Sequence, residues 1–191
     1  MHEMLIHLLR QYKHIPDDDA AVIVQHLAIK TVPEGQYLLR EGEIAREMFF
    51  ICKGILKIVA INDKGEELTY FFLKENQFCT ILQSFNNKLP AGEGIKTACE
   101  TTLIVLPREE LLAIYEKLPY LKEVIAQVTQ ATLLAKIQTR NNYLGLDATT
   151  RYKQFIELQP EIALRVSLQD VASYLGITPQ SLSRIRRSVA E

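Results

Sequence analysis

Hydrophobic positions recur at helical spacing near both ends of the chain and in short runs between them. Apolar residues at positions 4, 5, 8 and 9, and again at 20, 22, 23 and 27, predict two short helices, the second beginning at Pro16. From residue 29 to 106 the pattern changes to short runs rich in β-branched and aromatic residues and separated by glycines. The predicted strands are residues 37–39, 48–52, 55–61, 68–73 and 103–106, with a weaker candidate at 95–99.

The residues between the predicted strands 55–61 and 68–73 are typical of a tight hairpin turn. Asn62, Asp63, Lys64 and Gly65 follow one another, and glycine can adopt the positive φ that tight hairpins require. Strands this short, joined by such turns, predict an antiparallel roll or barrel.

A long helical run follows the β-rich segment. Residues 120–144 contain no glycine or proline, and Gly145 ends the run. One set of side chains repeats at the 4-3-4-3 spacing of a heptad seam, which predicts the interface of a homodimer. These residues are Leu121, Ile125, Val128, Thr132 and Ala135. Val124, Leu134 and Ile137 lie off the seam and are expected to face the chain's own domain; the alternative is that the helix packs only within the chain.

The last 25 residues show two helix starts in close succession. Ser167 precedes an acid at Asp170, the spacing of a capping box, and Gly176 follows where a left-handed C-terminal residue is expected. Thr178 is a candidate cap for a second helix, with Pro179 at its first position. Leu168, Val171, Ala172 and Leu175 share one face of the first helix, and Leu182, Ile185 and Val189 share one face of the second.

This arrangement predicts a helix-turn-helix whose second helix enters the major groove of DNA. Gln and Arg can make two-point contacts with adenine and guanine, whereas Ser and Thr near a helix start suit phosphates or bases. The predicted DNA-binding residues are Thr178, Gln180, Ser181, Ser183, Arg184 and Arg187. A helical hairpin with a merely solvated outer face is the alternative.

The distribution of charge supports this reading. The net charge is −1, but residues 133–191 carry eight Lys and Arg against five Asp and Glu, whereas the first 132 residues carry 14 basic and 18 acidic. Residues 178–190 hold three arginines and no acid. A basic end of this kind attracts phosphates and leaves the rest of the chain acidic.

Composition narrows the remaining function classes. No apolar run approaches the roughly 18 residues of a membrane span, and three widely spaced cysteines (Cys52, Cys79 and Cys99) predict neither disulfides nor a metal cluster, which favours a cytoplasmic protein without a cofactor. A cupin-type metalloenzyme needs histidines clustered on strands, but all four histidines precede the β-rich segment, so no enzyme is predicted. The other alternative is an effector-binding module whose C-terminal hairpin docks on a protein.

The order of these parts resembles the Crp/Fnr family of bacterial transcription regulators. Gly35-x-x-Leu38-Leu39-x-Glu41-Gly42-Glu43 and Phe49-x-Ile51-x-x-Gly54 resemble its sensor domain. Asp170-Val171-Ala172-x-Tyr174-Leu175-Gly176, followed by Ser181-Leu182-Ser183-Arg184, is the most specific match. The resemblance implies that Gln180, Ser183 and Arg184 read an inverted-repeat operator and that RNA polymerase is a partner.

The implied fold is of the α+β class in three parts. Residues 1–118 are expected to form an N-terminal antiparallel β-roll with flanking helices, 119–145 a dimerisation helix, and 146–191 a helix-turn-helix domain of winged-helix type. The chain stops soon after the second helix, so any wing is expected before Ser167, in residues 164–166.

The effector site departs from the family pattern. Members that bind cyclic nucleotides use a Gly-Glu pair and, about ten residues later, an arginine for the phosphate. The segment at residues 77–85 has no such pair, and no arginine occurs between Arg46 and Arg108. Lys88 and Lys96 carry positive charge but cannot make a planar two-point contact. Cyclic AMP binding is therefore not expected, and the small-molecule effector is unknown. The clustered N-terminal cysteines of the iron–sulfur branch are also missing, because no cysteine precedes Cys52.

Overall fold

The computed structural model describes residues 1–190, so Glu191, the end of the predicted third part, lies outside the described residues. Two helices open the chain, α1 (His2–Arg10) and α2 (Asp17–Gln25). The predicted apolar face is confirmed, because Leu5, Leu9 and Ile23 are almost completely buried. These helices lie against the core of the β-rich part.

Eight strands then build two four-stranded antiparallel sheets. The strands are β1 (Ala28–Val32), β2 (Tyr37–Leu39), β3 (Glu47–Lys53), β4 (Leu56–Ile61), β5 (Glu67–Leu73), β6 (Phe78–Cys79), β7 (Gly94–Thr97) and β8 (Thr101–Pro107). Their order is β1-β8-β3-β6 in one sheet and β2-β7-β4-β5 in the other. The predicted roll is therefore confirmed.

The central strands are buried on both faces. Every residue of β3 from Met48 to Cys52, and every residue of β4 from Leu56 to Ala60, is buried. Helix α1 contacts β3, and Lys57 of β4 pairs with Asp170 of the C-terminal part, so elements outside the two sheets help to cover these strands. This explains why β3 reads as an unbroken apolar run from Met48 to Cys52 and β4 as an apolar run that is interrupted only by Lys57.

The hairpin between β4 and β5 forms as predicted. Gly65 has a φ of 78°, and the side-chain oxygen of Asn62 accepts hydrogen bonds of 2.9 Å from the backbone N–H groups of Lys64 and Glu66. The asparagine side chain thus closes the turn that the glycine permits.

Three elements of the β-rich part were not predicted from the sequence. They are β1, β6 and α3 (Leu82–Asn87). In β1 only Val32 is buried, because the strand lies at the edge of its sheet, so no alternation of apolar residues marks it. The other two have two and six residues, too few to show a period.

Two helices connect the roll to the C-terminal part: α4 (Arg108–Lys117) and the long helix α5 (Tyr120–Tyr143). The predicted extent of α5 is confirmed, and Gly145 beyond it has a φ of 76°.

The predicted dimer seam on α5 needs correction. Leu121, Ile125 and Val128 are only 1%, 4% and 3% exposed, because they pack into the core of this chain's own roll. They have no surface left to offer a second copy. Thr132 is half-buried and Ala135 is exposed. The exposed large apolar side chains of the helix are Leu133 (46%), Leu134 (52%) and Ile137 (45%).

Four helices complete the described chain: α6 (Ala148–Leu158), α7 (Pro160–Arg165), α8 (Leu168–Tyr174) and α9 (Pro179–Ala190). Between residues 108 and 190 the structure contains helices and turns and no strand. The wing expected at residues 164–166 is therefore wrong, since Leu164 and Arg165 end α7 and Val166 is its C-cap. No helix within residues 1–190 is long and apolar enough to cross a membrane.

Candidate nucleic-acid interface

Helix α8 begins at the predicted cap. The Ser167 hydroxyl accepts a hydrogen bond of 3.1 Å from the backbone N–H of Asp170, as an N-cap residue does. The carboxylate of Asp170 does not complete a capping box, because it lies on Lys57 of β4. Val171, Ala172 and Leu175 are buried as predicted, whereas Leu168 is exposed.

The turn after α8 is a Schellman motif. Gly176 has a φ of 66°; its N–H donates to the carbonyl of Ser173 and that of Ile177 to the carbonyl of Ala172, both at 3.0 Å. Ala172 is completely buried, so it lets the two helices approach closely. The sharp turn and close crossing are the geometry of a helix-turn-helix.

Helix α9 begins at Thr178, whose hydroxyl accepts a hydrogen bond of 3.1 Å from the backbone N–H of Ser181. The same hydroxyl also lies 3.0 Å from that of Ser181. Leu182 is completely buried, and Ile185 and Val189 are half-buried, so the predicted inner face of α9 is confirmed.

The six residues predicted to contact DNA are all exposed. They are Thr178, Gln180, Ser181, Ser183, Arg184 and Arg187. Gln180, Ser183, Arg184 and Arg187 share one face of α9, while Arg186 projects about 110° away around the helix. None of the three arginines forms an ion pair with any residue in the range 1–190. Their guanidinium groups therefore face solvent as donors for an anionic partner.

The helix-turn-helix is held on the roll by a buried lysine. Lys57 is 4% exposed, and its ammonium lies 2.8 Å from Glu67 of β5 and 2.5 Å from Asp170 of α8. Burial alone would lower the pKa of Lys57, but the hydrogen bonds to both carboxylates outweigh it and raise that pKa. Burial alone would raise the pKa of Glu67, but hydrogen bonds from Lys57, Tyr37 and Lys96 lower it to about 2.

Further contacts surround this ion pair. Strand β5 lies at the edge of its sheet, and the backbone N–H of Thr69 donates to the Ser173 hydroxyl at 2.9 Å. Helix α8 thus satisfies an N–H that would otherwise be free at the sheet edge. The ring of Tyr174 packs 5.1 Å from that of Phe72, and Arg165 makes a two-point contact with Glu75 at 2.7 and 3.1 Å.

The two lysines of the effector region lie in different surroundings. Lys96 pairs with Glu67 at 2.9 Å and lies 4.9 Å from the centre of the Tyr37 ring. Lys88 is exposed and ends α3 in the left-handed conformation, with a φ of 57°. The buried Ser84 hydroxyl of α3 accepts from the backbone N–H of Ala45 and donates to the carbonyl of Leu89, so its bonding is satisfied within the roll.

Known proteins are similar to this chain in sequence. Residues 29–118 match the model of the cyclic nucleotide-binding domain. The chain is 21% identical over 184 residues to the cAMP-activated global transcriptional regulator CRP of Escherichia coli, covering 88% of this chain and 85% of that protein. It is 25% identical over 170 residues to the transcriptional activator protein anr of Pseudomonas aeruginosa, covering 82% of this chain and 68% of that protein.

Solved structures show the same fold. The c-di-GMP-responsive global regulator CLP of Xanthomonas campestris matches with a TM-score of 0.70 and 17% identity, covering 92% of each chain. FixK2 of Bradyrhizobium japonicum matches with a TM-score of 0.70 and 16% identity, covering 86% of this chain and 84% of that one. The chain therefore shares the fold of these regulators and is similar in sequence to CRP and anr, and the predicted resemblance is confirmed.

The contacts that join the helix-turn-helix to the roll were missed by sequence reasoning. Lys57 lies in an apolar run, Leu56 to Ala60, that predicts a strand, and a lysine in such a run is a signal of a buried charge. Its partner Asp170 is 113 residues away and reads locally as a capping residue. The signal was present at Lys57, but nothing in the sequence pattern identified the partner.

Proposed function

We propose that this protein is a DNA-binding transcriptional regulator whose second helix of the helix-turn-helix, α9, enters the major groove. The observation that carries the proposal is the exposed face of α9, which presents Gln180, Ser183 and Arg184 in its first half and is free of acidic residues up to Ala190. Relatives named as transcriptional regulators, and not as enzymes, support it.

The proposed contacts of α9 with DNA are of two kinds, those to base edges and those to phosphates. Arg184 and Gln180 have the donors and acceptors for two-point contacts with guanine and adenine, and Ser183 is close enough to share the same groove. Thr178 and Ser181 lie at the N-terminus of α9, where the helix dipole and free N–H groups favour a phosphate. Arg187 lies one turn further along the same face and is assigned to the phosphate backbone.

A homodimer fits this function, because two copies related by a two-fold axis would place their α9 helices about 34 Å apart on an inverted repeat. Since Leu121, Ile125 and Val128 belong to the chain's own core, we assign the contact to the outer side of α5, around Leu133, Leu134 and Ile137. RNA polymerase is the partner expected from the resemblance.

We further propose that the roll does not bind cyclic AMP, although residues 29–118 match a family named for cyclic nucleotides. A cyclic phosphate needs a fixed cation in the roll, but residues 47–107 contain no arginine and Lys96 is already paired with Glu67. Calorimetric titration with cyclic AMP is expected to give no heat of binding at micromolar concentrations. A saturable micromolar isotherm would show this proposal to be wrong.

Selection of binding sites from random DNA tests the DNA-binding proposal directly. We expect one enriched sequence with two-fold symmetry and half-sites about 10 base pairs apart. Titration with salt distinguishes the alternative of a protein-docking hairpin, because phosphate contacts give a steep loss of affinity with rising salt. Recovery of no enriched sequence, together with no salt-dependent DNA binding, would favour that alternative.

A further inference from the structure

The end of the long helix α5 is joined to the helix-turn-helix by side chains as well as by the backbone. Residues 144–147 connect α5 to α6, and Gly145 among them has a φ of 76°. Glycine is conformationally permissive, so a short connection that contains it does not by itself fix the direction of the next helix. The orientation of α8 and α9 relative to α5 therefore depends on contacts beside this connection.

Gln159 makes the first of these contacts. It lies between α6 and α7, and its side-chain amide nitrogen donates to the hydroxyl of Tyr143 at 2.7 Å and to that of Tyr174 at 3.2 Å. Tyr143 is the last residue of α5, and Tyr174 is the last residue of α8. An amide nitrogen carries two hydrogens, so both of them are used to link the ends of these two helices.

The two tyrosines that Gln159 joins also pack on each other. The centres of their rings are 5.9 Å apart, and the ring planes are perpendicular. Burial raises the pKa of both Tyr143 and Tyr174, so both hydroxyls stay neutral at neutral pH. Hydrogen bonds are electrostatically stronger in such partly buried surroundings than in water, so the link through Gln159 restrains the two helix ends.

Arg151 of α6 makes a second link of the same kind. Its guanidinium donates to the backbone carbonyl of Leu175 and, at 2.8 Å, to that of Leu146. Leu175 is the C-cap of α8, and Leu146 lies in the connection after α5. Because a guanidinium is planar and rigid, it holds the two carbonyls at a defined distance and angle. Gln159 and Arg151 thus join the same two parts of the chain, the end of α5 and the end of α8.

We propose that Gln159 and Arg151 are positioning residues that set the separation of the two α9 helices in the dimer and thereby select operators by the spacing of their half-sites. The proposal rests on the DNA-binding function proposed above, in which two copies meet along α5. Each α9 then has a fixed place relative to the two-fold axis only while α8 is fixed on α5. One base pair changes the separation of the half-sites by about 3.4 Å and rotates one of them by about 34° around the DNA axis. A rigid link does not follow that change, whereas a loose link does.

Operators that differ only in spacing test the proposal. The affinity of the full chain would be measured for the selected operator and for versions with one base pair inserted or removed between the half-sites. The wild type should bind the altered spacings about tenfold more weakly, because the DNA must be twisted to fit. Gln159→Leu keeps the approximate size of the side chain and removes two hydrogen bonds, so this difference should shrink to about threefold or less. Its base preference and salt slope should stay unchanged, because no phosphate or base contact is assigned to Gln159.

Two further variants separate geometry from charge and from general effects of the substitution. Arg151→Lys keeps the positive charge but lacks the planar group, so it should lose spacing discrimination without a change in the salt slope. Gln25→Leu makes the same substitution as Gln159→Leu at an exposed position of α2 and should discriminate spacings like the wild type. Equal loss of affinity at every spacing in Gln159→Leu and Arg151→Lys would contradict the proposal, as would wild-type discrimination in both.

Amide hydrogen exchange of the full chain without DNA gives a second readout. Gln159→Leu should exchange faster than the wild type in residues 144–147 and 174–177, while the strands of the roll keep their wild-type rates. Unchanged exchange in these two segments would overturn the proposal even if DNA affinity fell. A wild type that selects no operator would overturn the proposed function, and the role in half-site spacing with it. A wild type that selects an operator but discriminates spacings no better than Gln159→Leu would overturn the present proposal alone.

Discussion

The ammonium of Lys57, on a central strand of the roll, lies 2.5 Å from the carboxylate of Asp170 in the first turn of the helix-turn-helix. The two residues are 113 positions apart, and only 5% of the Lys57 side chain is exposed. A charge that is this buried depends on its partners, so this ion pair is one of the contacts that fix the orientation of α8 on the roll.

Removing the carboxylate of Asp170 should therefore loosen the C-terminal part. Asp170→Asn is expected to lower the free energy of unfolding by about 2 kcal/mol, less than the roughly 3–5 kcal/mol of a fully broken buried pair because Glu67 still holds Lys57. Urea unfolding measures the loss. Asp63→Asn, at an exposed hairpin position, should change it by less than about 0.5 kcal/mol. Equal losses in the two variants would show that the pair adds nothing to stability.

The same cluster predicts a dependence on pH. The pKa of Glu67 is lowered in the folded protein to about 2, below its ordinary value near 4.3. A lowered folded pKa stabilises the protein above the unfolded pKa, and this contribution is lost as the pH falls from about 5 towards 2. Urea unfolding at pH 6 and pH 3 should show a larger loss for the wild type than for Glu67→Gln. Parallel losses would exclude Glu67 as a source of acid sensitivity.

The outer side of α5 can be tested for dimerisation separately from its inner side. Leu134→Asp places a charge on the exposed side and should convert a dimer to a folded monomer, as measured by sedimentation at micromolar concentration. Val128→Asp should instead unfold the roll, because Val128 is 3% exposed in the chain's own core. Leu112→Asp, at an exposed leucine of α4, should change neither mass nor fold. Dimers that survive Leu134→Asp would place the interface elsewhere.

Local sequence patterns correctly predicted the features that depend on interactions between residues close together in the chain. Asn62 and Gly65 specify the hairpin through side-chain bonding and a positive φ, and Ser167 and Thr178 cap their helices as predicted. Each of these features depends on residues a few positions apart. The apolar period of α5 also predicted a helix of the correct length.

The apolar period of α5 does not determine which surface buries its apolar residues. A heptad seam is buried equally well by a second copy or by the chain's own roll, and the roll covers Leu121, Ile125 and Val128. Leu168 shows a related error, since its helical spacing places it inward but it lies at the exposed first turn of α8. Contacts between distant segments decide both cases, and no local period encodes them.

The arginines of α9 provide the sharpest test of the proposed function, because three of them lie on one helix and only two share the proposed DNA-binding face. Arg184→Ala should cost roughly 1–3 kcal/mol of binding free energy and relax the base preference at one position of each half-site. Arg187→Ala should weaken binding to all sequences alike and reduce the slope of log affinity against log salt by about one.

Arg186→Ala is the matched control for both variants, since it removes the same charge from the same helix at a position about 110° away from the proposed DNA-binding face. Arg186→Ala should change the base preference less than Arg184→Ala does, and it should change the salt slope less than Arg187→Ala does. Affinities for the selected operator and for single-base variants, measured over a range of salt, would separate the three arginines. If all three variants behaved alike, α9 would contribute only general positive charge and would not be the helix that reads the sequence.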